Sequence, residues 1–179
     1  MKKIILLSLT KEGIVAQFLP EAKDLGVSSG CFFMKKIFYD SKVAKAILFD
    51  GYSTITIFAW VFTKYKTLMQ ETINHECTHA RQWIELTVAG GLFIWLGMLI
   101  FDYSAWYLAI SPIVFYLWYG LEYCIRRIMG LFASGDNKQH TAYREVSFEQ
   151  EARLAEKDNN YLENSHYYAW MKFIIKTRK

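Results

Sequence analysis

The sequence has few cysteines and few prolines, and it lacks any long run of charge of one sign. Three of its 179 residues are cysteine, the spacing is irregular and no Cys-x-x-Cys occurs, which argues against a disulfide framework and a thiolate zinc knuckle. The net charge is only +4 and the basic residues are scattered, so no surface for nucleic acid is indicated. We expect reduced thiols in a chain that faces the cytosol.

Charge is also absent from two long apolar stretches. Residues 86–101 and 103–121 carry no charged side chain, and Asp102 separates them. A membrane-crossing helix needs about 20 apolar residues, with a range of about 17–25. The second stretch meets this length, and the first does so if a preceding helix runs on into it. We predict a transmembrane hairpin over 86–124 in a lipid bilayer; the alternative is a soluble protein with two apolar core helices.

The charges that flank this hairpin indicate its orientation. Lys64, Lys66 and Arg81 precede it, Arg126 and Arg127 follow it, and the connecting loop has no basic residue. By the positive-inside rule, both termini and the residues before the hairpin face the cytoplasm. We therefore predict an integral protein of the inner (cytoplasmic) membrane.

The residues before the hairpin indicate a small sheet followed by a helix. Short apolar runs and turn signals alternate over residues 1–66, and "TITIFAWVF" (54–62) is typical of a strand. If this is an edge strand, an extended peptide could add alongside it. Thr67 and Gln70 fit a capping box, which predicts a helix over 67–85.

A helical region follows the hairpin, over residues 142–179. Ser147 and Gln150 fit a second capping box, and the aromatic, basic tail "YLENSHYYAWMKFIIKTRK" suits an amphipathic helix on a membrane surface. The fold class that we predict is α+β and mainly α, in a single domain over 1–179.

The stretch "TINHECTHARQW" contains His75, Glu76 and His79 in the order His-Glu-x-x-His. Residues four apart on a helix project from nearly the same face, so two imidazoles can bind one Zn²⁺ ion. Glu76 is rotated off that face and can act as general base on a zinc-activated water. Cys77 lies about 200° round the helix from His75 and should pack rather than ligate. The alternative is that both histidines are exposed and pair with glutamates or solvent.

A catalytic zinc keeps three protein ligands and one open position. No third histidine follows closely behind His79, so the third ligand must come from later in the chain. Spacing alone leaves several candidates open: His140, His166, Glu145, Glu149 and Glu151.

The stretches "HECTH" and "SFEQEA" together resemble the membrane gluzincins of the CAAX prenyl protease and HtpX type. That family carries His-Glu-x-x-His beside transmembrane spans, and its third ligand is the glutamate of a later Phe/Tyr-Glu-x-x-Ala-Asp motif. Phe148, Glu149 and Ala152 match this motif, so the resemblance implies Glu149 as the third ligand. Arg153 stands where the motif has an aspartate that supports the site, so the resemblance supplies no partner that orients the histidines.

A longer pattern is similar to small, uncharacterised two-span bacterial membrane proteins that are predicted metallopeptidases. They share Asn-His-Glu-x-x-His-x-Arg-Gln, a hydrophobic hairpin and a later Tyr-Arg-x-x-x-Phe-Glu-x-Glu-Ala. The further residues that fit this pattern are Asn74, Arg81, Gln82, Tyr143, Arg144 and Glu151. This similarity implies metallopeptidase activity but no particular substrate.

Five other polar residues can be given expected roles. Tyr143 or Arg144 could stabilise the oxyanion of a transition state; the alternative is ordinary pairing with a nearby glutamate. Glu151 is expected on a solvated face, and Glu85 and Glu122 at solvated helix ends beside the spans.

The function that the sequence predicts is that of a small membrane zinc metallopeptidase (gluzincin type) at the cytoplasmic face. One Zn²⁺ ion is held by His75, His79 and Glu149, Glu76 is the base, and the substrate is a peptide or a membrane protein. The alternative is a catalytically inactive scaffold or interaction protein with a structural zinc site. A fourth protein ligand, such as His140 or a cysteine, would favour that alternative.

Overall fold

The computed structural model describes the chain in five stretches: 5–10, 13–18, 36–48, 52–131 and 138–174. The fold is α+β and mainly helical, as predicted. An N-terminal hairpin pairs strand β1 (Ile5–Thr10) with strand β2 (Gly13–Phe18) in antiparallel register.

A second, three-stranded sheet lies next to the metal-binding motif. It contains strands β3 (Ile37–Phe38), β4 (Thr54–Ile57) and β5 (Trp60–Thr63), and helix α1 (Lys42–Ile47) follows β3. The strand order is β3-β5-β4, with β3 parallel and β4 antiparallel to β5. Within the described residues, β4 is therefore an edge strand.

The single strand predicted for "TITIFAWVF" is wrong, because a tight turn divides it into β4 and β5. Phe58 takes a left-handed conformation there, with φ of 57°, which is costly for a bulky residue. Tertiary contacts stabilise it: the Phe58 amide donates to the Tyr116 hydroxyl at 2.6 Å. The Phe58 ring also packs edge-on against Trp83 and Tyr116.

Helix α2 (Gln70–Phe101) is continuous through both the His-Glu-x-x-His motif and the first apolar stretch. Its 32 residues span about 48 Å at 1.5 Å per residue. The predicted capping box is wrong, since the helix begins at Gln70 after Met69 and no side chain caps it. Asp102, with φ of 55°, ends the helix.

The second apolar stretch forms a 3₁₀ helix (Ala105–Ile113) that leads into helix α3 (Val114–Leu131). Gln70–Phe101 and Ala105–Gly130 are both long and apolar enough to cross a membrane. The two segments pack closely. A Cβ added at Gly90 would lie 2.8 Å from a methyl carbon of Val114, so glycine permits the contact.

Three short helices and a 3₁₀ turn complete the described chain: α4 (Lys138–Glu145), α5 (Ser147–Ala155), α6 (Tyr161–Asn164) and the 3₁₀ turn Ala169–Phe173. The N-cap of α5 is Val146 and not Ser147, so the second predicted capping box is wrong. The Gln150 side chain donates to the main-chain oxygen of Glu145 instead.

The predicted amphipathic tail helix is also wrong over the described residues. Trp170 and Phe173 are buried, and Trp170 belongs to the core cluster with Leu86, Phe115, Val146 and Phe148. The indole N–H of Trp170 donates to Glu85 at 3.1 Å. Trp170 therefore packs on the start of the hairpin, whereas Tyr167 is exposed.

Candidate metal centre

The His-Glu-x-x-His motif lies on the first half of α2, and α5 packs against it. His75 Nε2 and His79 Nε2 are 3.1 Å apart. Glu149 Oε1 lies 3.1 Å from His79 Nε2, and Glu149 Oε2 lies 3.6 Å from His75 Nε2. Ligand atoms bound to one tetrahedral zinc at about 2.0–2.1 Å are about 3.3 Å apart. The three side chains are therefore spaced as ligands of a single ion.

The other nitrogen of each imidazole is held by an acceptor. His75 Nδ1 lies 2.7 Å from Glu156 Oε1, and His79 Nδ1 lies 2.9 Å from Gln82 Oε1. Gln82 donates through Nε2 to the main-chain oxygen of Phe148, so its oxygen is the atom that faces His79. Both Nδ1 atoms therefore carry a proton, and the two Nε2 atoms are the nitrogens that can bind a metal once they are deprotonated.

A cation would stabilise the close approach of the two Nε2 atoms and the Glu149 carboxylate. Two imidazole lone pairs and a carboxylate meet within 3.1–3.6 Å. Glu149 Oε2 is also buried and makes no hydrogen bond, which is costly for a carboxylate oxygen. A proton on one imidazole can relieve one contact, whereas a divalent ion can bond all three groups. The donor set of two nitrogens and one carboxylate oxygen fits zinc.

Glu149 is held in the ionised form that a metal ligand needs. Burial raises its pKa, but the neighbouring His79 and His75 and hydrogen bonding from Tyr143 lower the pKa to about 2. Tyr119 also donates to Glu149 Oε1 at 3.0 Å. Burial and the Glu149 charge raise the pKa of Tyr143, so its phenol keeps its proton at neutral pH.

Of the two predicted transition-state stabilisers, the structure brings only Tyr143 to the ligand cluster. In the described part of the chain, no hydrogen bond or ion pair joins Arg144 to His75, His79 or Glu149, and Arg144 Nε is buried without a hydrogen bond. Tyr143 remains the candidate donor at this site.

Glu76 lies next to the ligands and contacts the three-stranded sheet. The hydroxyl of Thr56 on β4 donates to Glu76 Oε2 at 2.5 Å. This bond fixes the carboxylate between β4 and the ligand face of α2. Glu76 is thus oriented by the sheet and is not one of the three metal-spaced ligands.

Several residues at the site were not predicted from the sequence. The partners Gln82 and Glu156 follow His79 and Glu149 by three and seven residues, so helical periodicity alone could have indicated them. Glu156 occupies the orienting role that Arg153 could not fill. Tyr119 and Thr56 come from distant elements, and the sequence carries no local signal for either.

The remaining candidates for the third ligand do not join the cluster. The one group of three metal-ligating side chains found in the described residues is His75, His79 and Glu149. Glu151 is fully buried and accepts from Arg81 at 2.9 Å and from Gln82 at 2.9 Å, so the expected solvated face is wrong. His166 is exposed, and the side chain of His140 lies outside the described residues.

Three further expectations about polar or thiol groups need correction. Glu85 and Glu122 are buried rather than solvated, with 3% and 8% exposure, because each accepts hydrogen bonds from C-terminal residues. Cys77 is buried, as predicted, but takes part in a disulfide bond. The expectation of reduced thiols therefore fails for Cys77, and its sulfur is not available to a metal.

No protein-family model, curated protein or solved structure matches this chain. The fold and the site define a mainly helical α+β protein with two helices that could cross a membrane. It also has a His-His-Glu group that could bind a metal ion.

The hydrogen bond between Glu156 and His75 generates the first prediction. Replacing Glu156 with alanine removes the acceptor that orients His75, so zinc affinity should fall about 10–100-fold. Chelator competition on the purified protein measures this affinity. Glu163→Ala removes an exposed carboxylate from α6 and should leave the affinity unchanged. Equal zinc affinity for Glu156→Ala and the unmodified chain would show that Glu156 does not support the site.

Proposed function

We propose that this protein is a small integral-membrane zinc metallopeptidase. The observation that carries the proposal is the meeting of His75 Nε2, His79 Nε2 and the unbonded Glu149 Oε2 around one point. A bound zinc ion supplies Lewis-acid activation of water and of the peptide carbonyl. Three protein ligands are also the number that a catalytic zinc site uses.

The chain's own residues supply the proton transfers. Thr56 holds Glu76 Oε2, so in our proposal Glu76 Oε1 takes the proton of the attacking water and later gives it to the leaving amine. The protonated phenol of Tyr143 turns from Glu149 and donates its hydrogen bond to the oxyanion that develops on the carbonyl oxygen.

The second prediction separates metal binding from catalysis. Glu76→Gln should retain zinc but lose hydrolysis of a quenched fluorogenic peptide library by a factor of at least about 100, the lower end of what general-base catalysis contributes. His75→Ala should lose zinc itself. Metal content and peptide turnover of the detergent-solubilised protein measure the two effects.

Glu71→Gln, an exposed change on the same helix, is the matched control and should leave both zinc content and turnover intact. Undiminished turnover by Glu76→Gln would overturn the mechanism. A zinc-loaded chain that hydrolyses nothing, with or without the change, would favour the inactive scaffold. That alternative lacks a fourth protein ligand among the described residues.

The edge strand β4 supports a binding mode for the substrate. Ser53 accepts from the Lys64 amide at 2.9 Å, and Ile57 pairs with Trp60 across the turn. Hydrogen-bonded and non-hydrogen-bonded pairs alternate along an antiparallel ladder. The main-chain N–H and C=O groups of Thr54 and Thr56 therefore point away from β5, to the open edge of the sheet. We propose that an extended peptide substrate pairs with this edge, beside Glu76.

The third prediction tests this pairing. Thr54→Pro removes one outward N–H without removing a ladder bond, so KM for a hydrolysed peptide should rise about 5–10-fold, as for one lost hydrogen bond, while kcat changes little. Thr54→Val keeps the N–H and is the control for loss of the hydroxyl. If both variants showed the KM of the unmodified chain, substrate would not pair with Thr54.

The two apolar helices support residence in the inner membrane, and the flanking basic residues support a cytoplasmic site. The disulfide at Cys77 points the other way, since disulfides are rare in the cytosol. We retain the cytoplasmic orientation because Arg126 and Arg127 lie five and six residues past the charge-free stretch that ends at Leu121, where the charge bias sets topology.

The fourth prediction uses Cys124, which is exposed and free near the end of the second apolar segment. A membrane-impermeant maleimide should label it in inverted membrane vesicles and not in intact cells. Cys124→Ser gives the background from the other cysteines. Labelling of Cys124 from outside intact cells would reverse the proposed orientation.

A further inference from the structure

Glu122 is a buried carboxylate on α3 that caps the helix carrying the third ligand. Its Oε1 accepts from the main-chain N–H of Ser147 at 2.9 Å, and its Oε2 accepts from the Ser147 hydroxyl at 2.6 Å. Ser147 is the first residue of α5, and Glu149 follows two residues later in the first turn. A side chain of the second apolar segment therefore holds the start of the helix from which Glu149 projects.

The chemistry of this contact makes it a strong one. Glu122 is 8% exposed and Ser147 is fully buried, so both bonds form away from water. A carboxylate at a helix N-terminus accepts charge-assisted hydrogen bonds and interacts favourably with the helix dipole. Arg126, one turn further along α3, lies 3.4 Å from Glu122 Oε1 and donates to the main-chain oxygen of Ile174 at 2.7 Å.

A second residue of α3 acts on the same turn of α5. Tyr119 lies three residues before Glu122, on the same helix face, and donates to Glu149 Oε1. Its ring stacks on Phe148 with an interplanar angle of 6°. Residues 147–149 are thus contacted by Glu122 and Tyr119 of α3, and Gln82 of α2 donates to the main-chain oxygen of Phe148.

We propose that Glu122 is a positioning residue for the metal centre: by capping α5 it sets the place at which Glu149 meets His75 and His79. Metal binding then depends on the second apolar segment, although that segment supplies no ligand. This inference rests on the proposed metal centre and not on hydrolysis.

The test is a double-mutant cycle on the full-length, detergent-solubilised protein with cobalt(II) as the probe. Glu122→Gln should weaken cobalt(II) affinity about 10–100-fold, the usual range for an outer-shell partner. In a Glu149→Ala background, Glu122→Gln should cause no further loss of cobalt(II) affinity, because the ligand that Glu122 positions is gone. Thermal unfolding of each metal-free variant shows the fraction that is folded.

Glu85→Gln is the matched control. Glu85 is also a buried carboxylate next to the tail, but it accepts from Trp170 rather than from α5, so its removal should leave cobalt(II) affinity unchanged. If Glu122→Gln does not fold, Ser147→Ala carries the test. It removes only the hydroxyl bond and should weaken affinity several-fold, again only when Glu149 is present.

The outcomes distinguish the two proposals. An equal loss from Glu122→Gln with and without Glu149 would overturn the positioning role and leave the metal centre standing. Unchanged cobalt(II) affinity in both Glu122→Gln and Ser147→Ala would also overturn the positioning role and leave the metal centre standing. If Glu149→Ala by itself left cobalt(II) affinity unchanged, the metal centre would be wrong, and the positioning role with it.

Discussion

The candidate metal centre depends on one electrostatic constraint: two imidazole nitrogens and a buried carboxylate meet within 3.1–3.6 Å. The Nδ1–H of each histidine donates to a partner behind it, Glu156 or Gln82. The Nε2 atoms therefore face each other and the Glu149 carboxylate, whose Oε2 has no hydrogen bond. Such an arrangement is unfavourable without positive charge among the three groups. Glu156 and Gln82 therefore orient the two imidazoles for a cation before any cation binds.

The polar face of α2 is buried against the C-terminal residues of the chain. The periodicity of the motif helix suggests a solvated polar side, yet Thr78, Arg81 and Gln82 are buried, whereas Ile84 is partly exposed. The C-terminal residues supply the partners: Gln82 donates to Glu151 and Phe148, and Arg81 donates to Glu151 and to Ser165 at 2.8 Å. Buried polar groups are tolerated because they are paired.

The sequence could predict features that depend on residues close together in the chain. The spacing of His75 and His79 is a property of a single helix, and charge-free runs indicate apolar helices by length alone, so both could be found locally. The link to Glu149 crosses the hairpin and came from a resemblance, not from spacing. The distances of Glu149 from both histidines support that link.

Two of the failures share a cause as well. The Ser147 capping box and the strand at 54–62 are local patterns that tertiary contacts override. The Ser147 hydroxyl bonds Glu122 instead of its own helix. The turn at Phe58 is stabilised by α3, and no pattern within a few residues could reveal that contact. Sequence propensity is a weak guide wherever a distant side chain supplies the missing partner.

The position of the metal-spaced group along α2 limits what it can act on. Leu86 opens the charge-free stretch seven residues after His79, a rise of only about 10 Å along the helix. The same helix that holds the histidines continues without a break into the apolar segment, so the site cannot move away from the bilayer surface that this segment would enter. Under the proposed function, a substrate must therefore come to that surface, and peptide segments that emerge from a membrane meet this requirement better than freely diffusing ones.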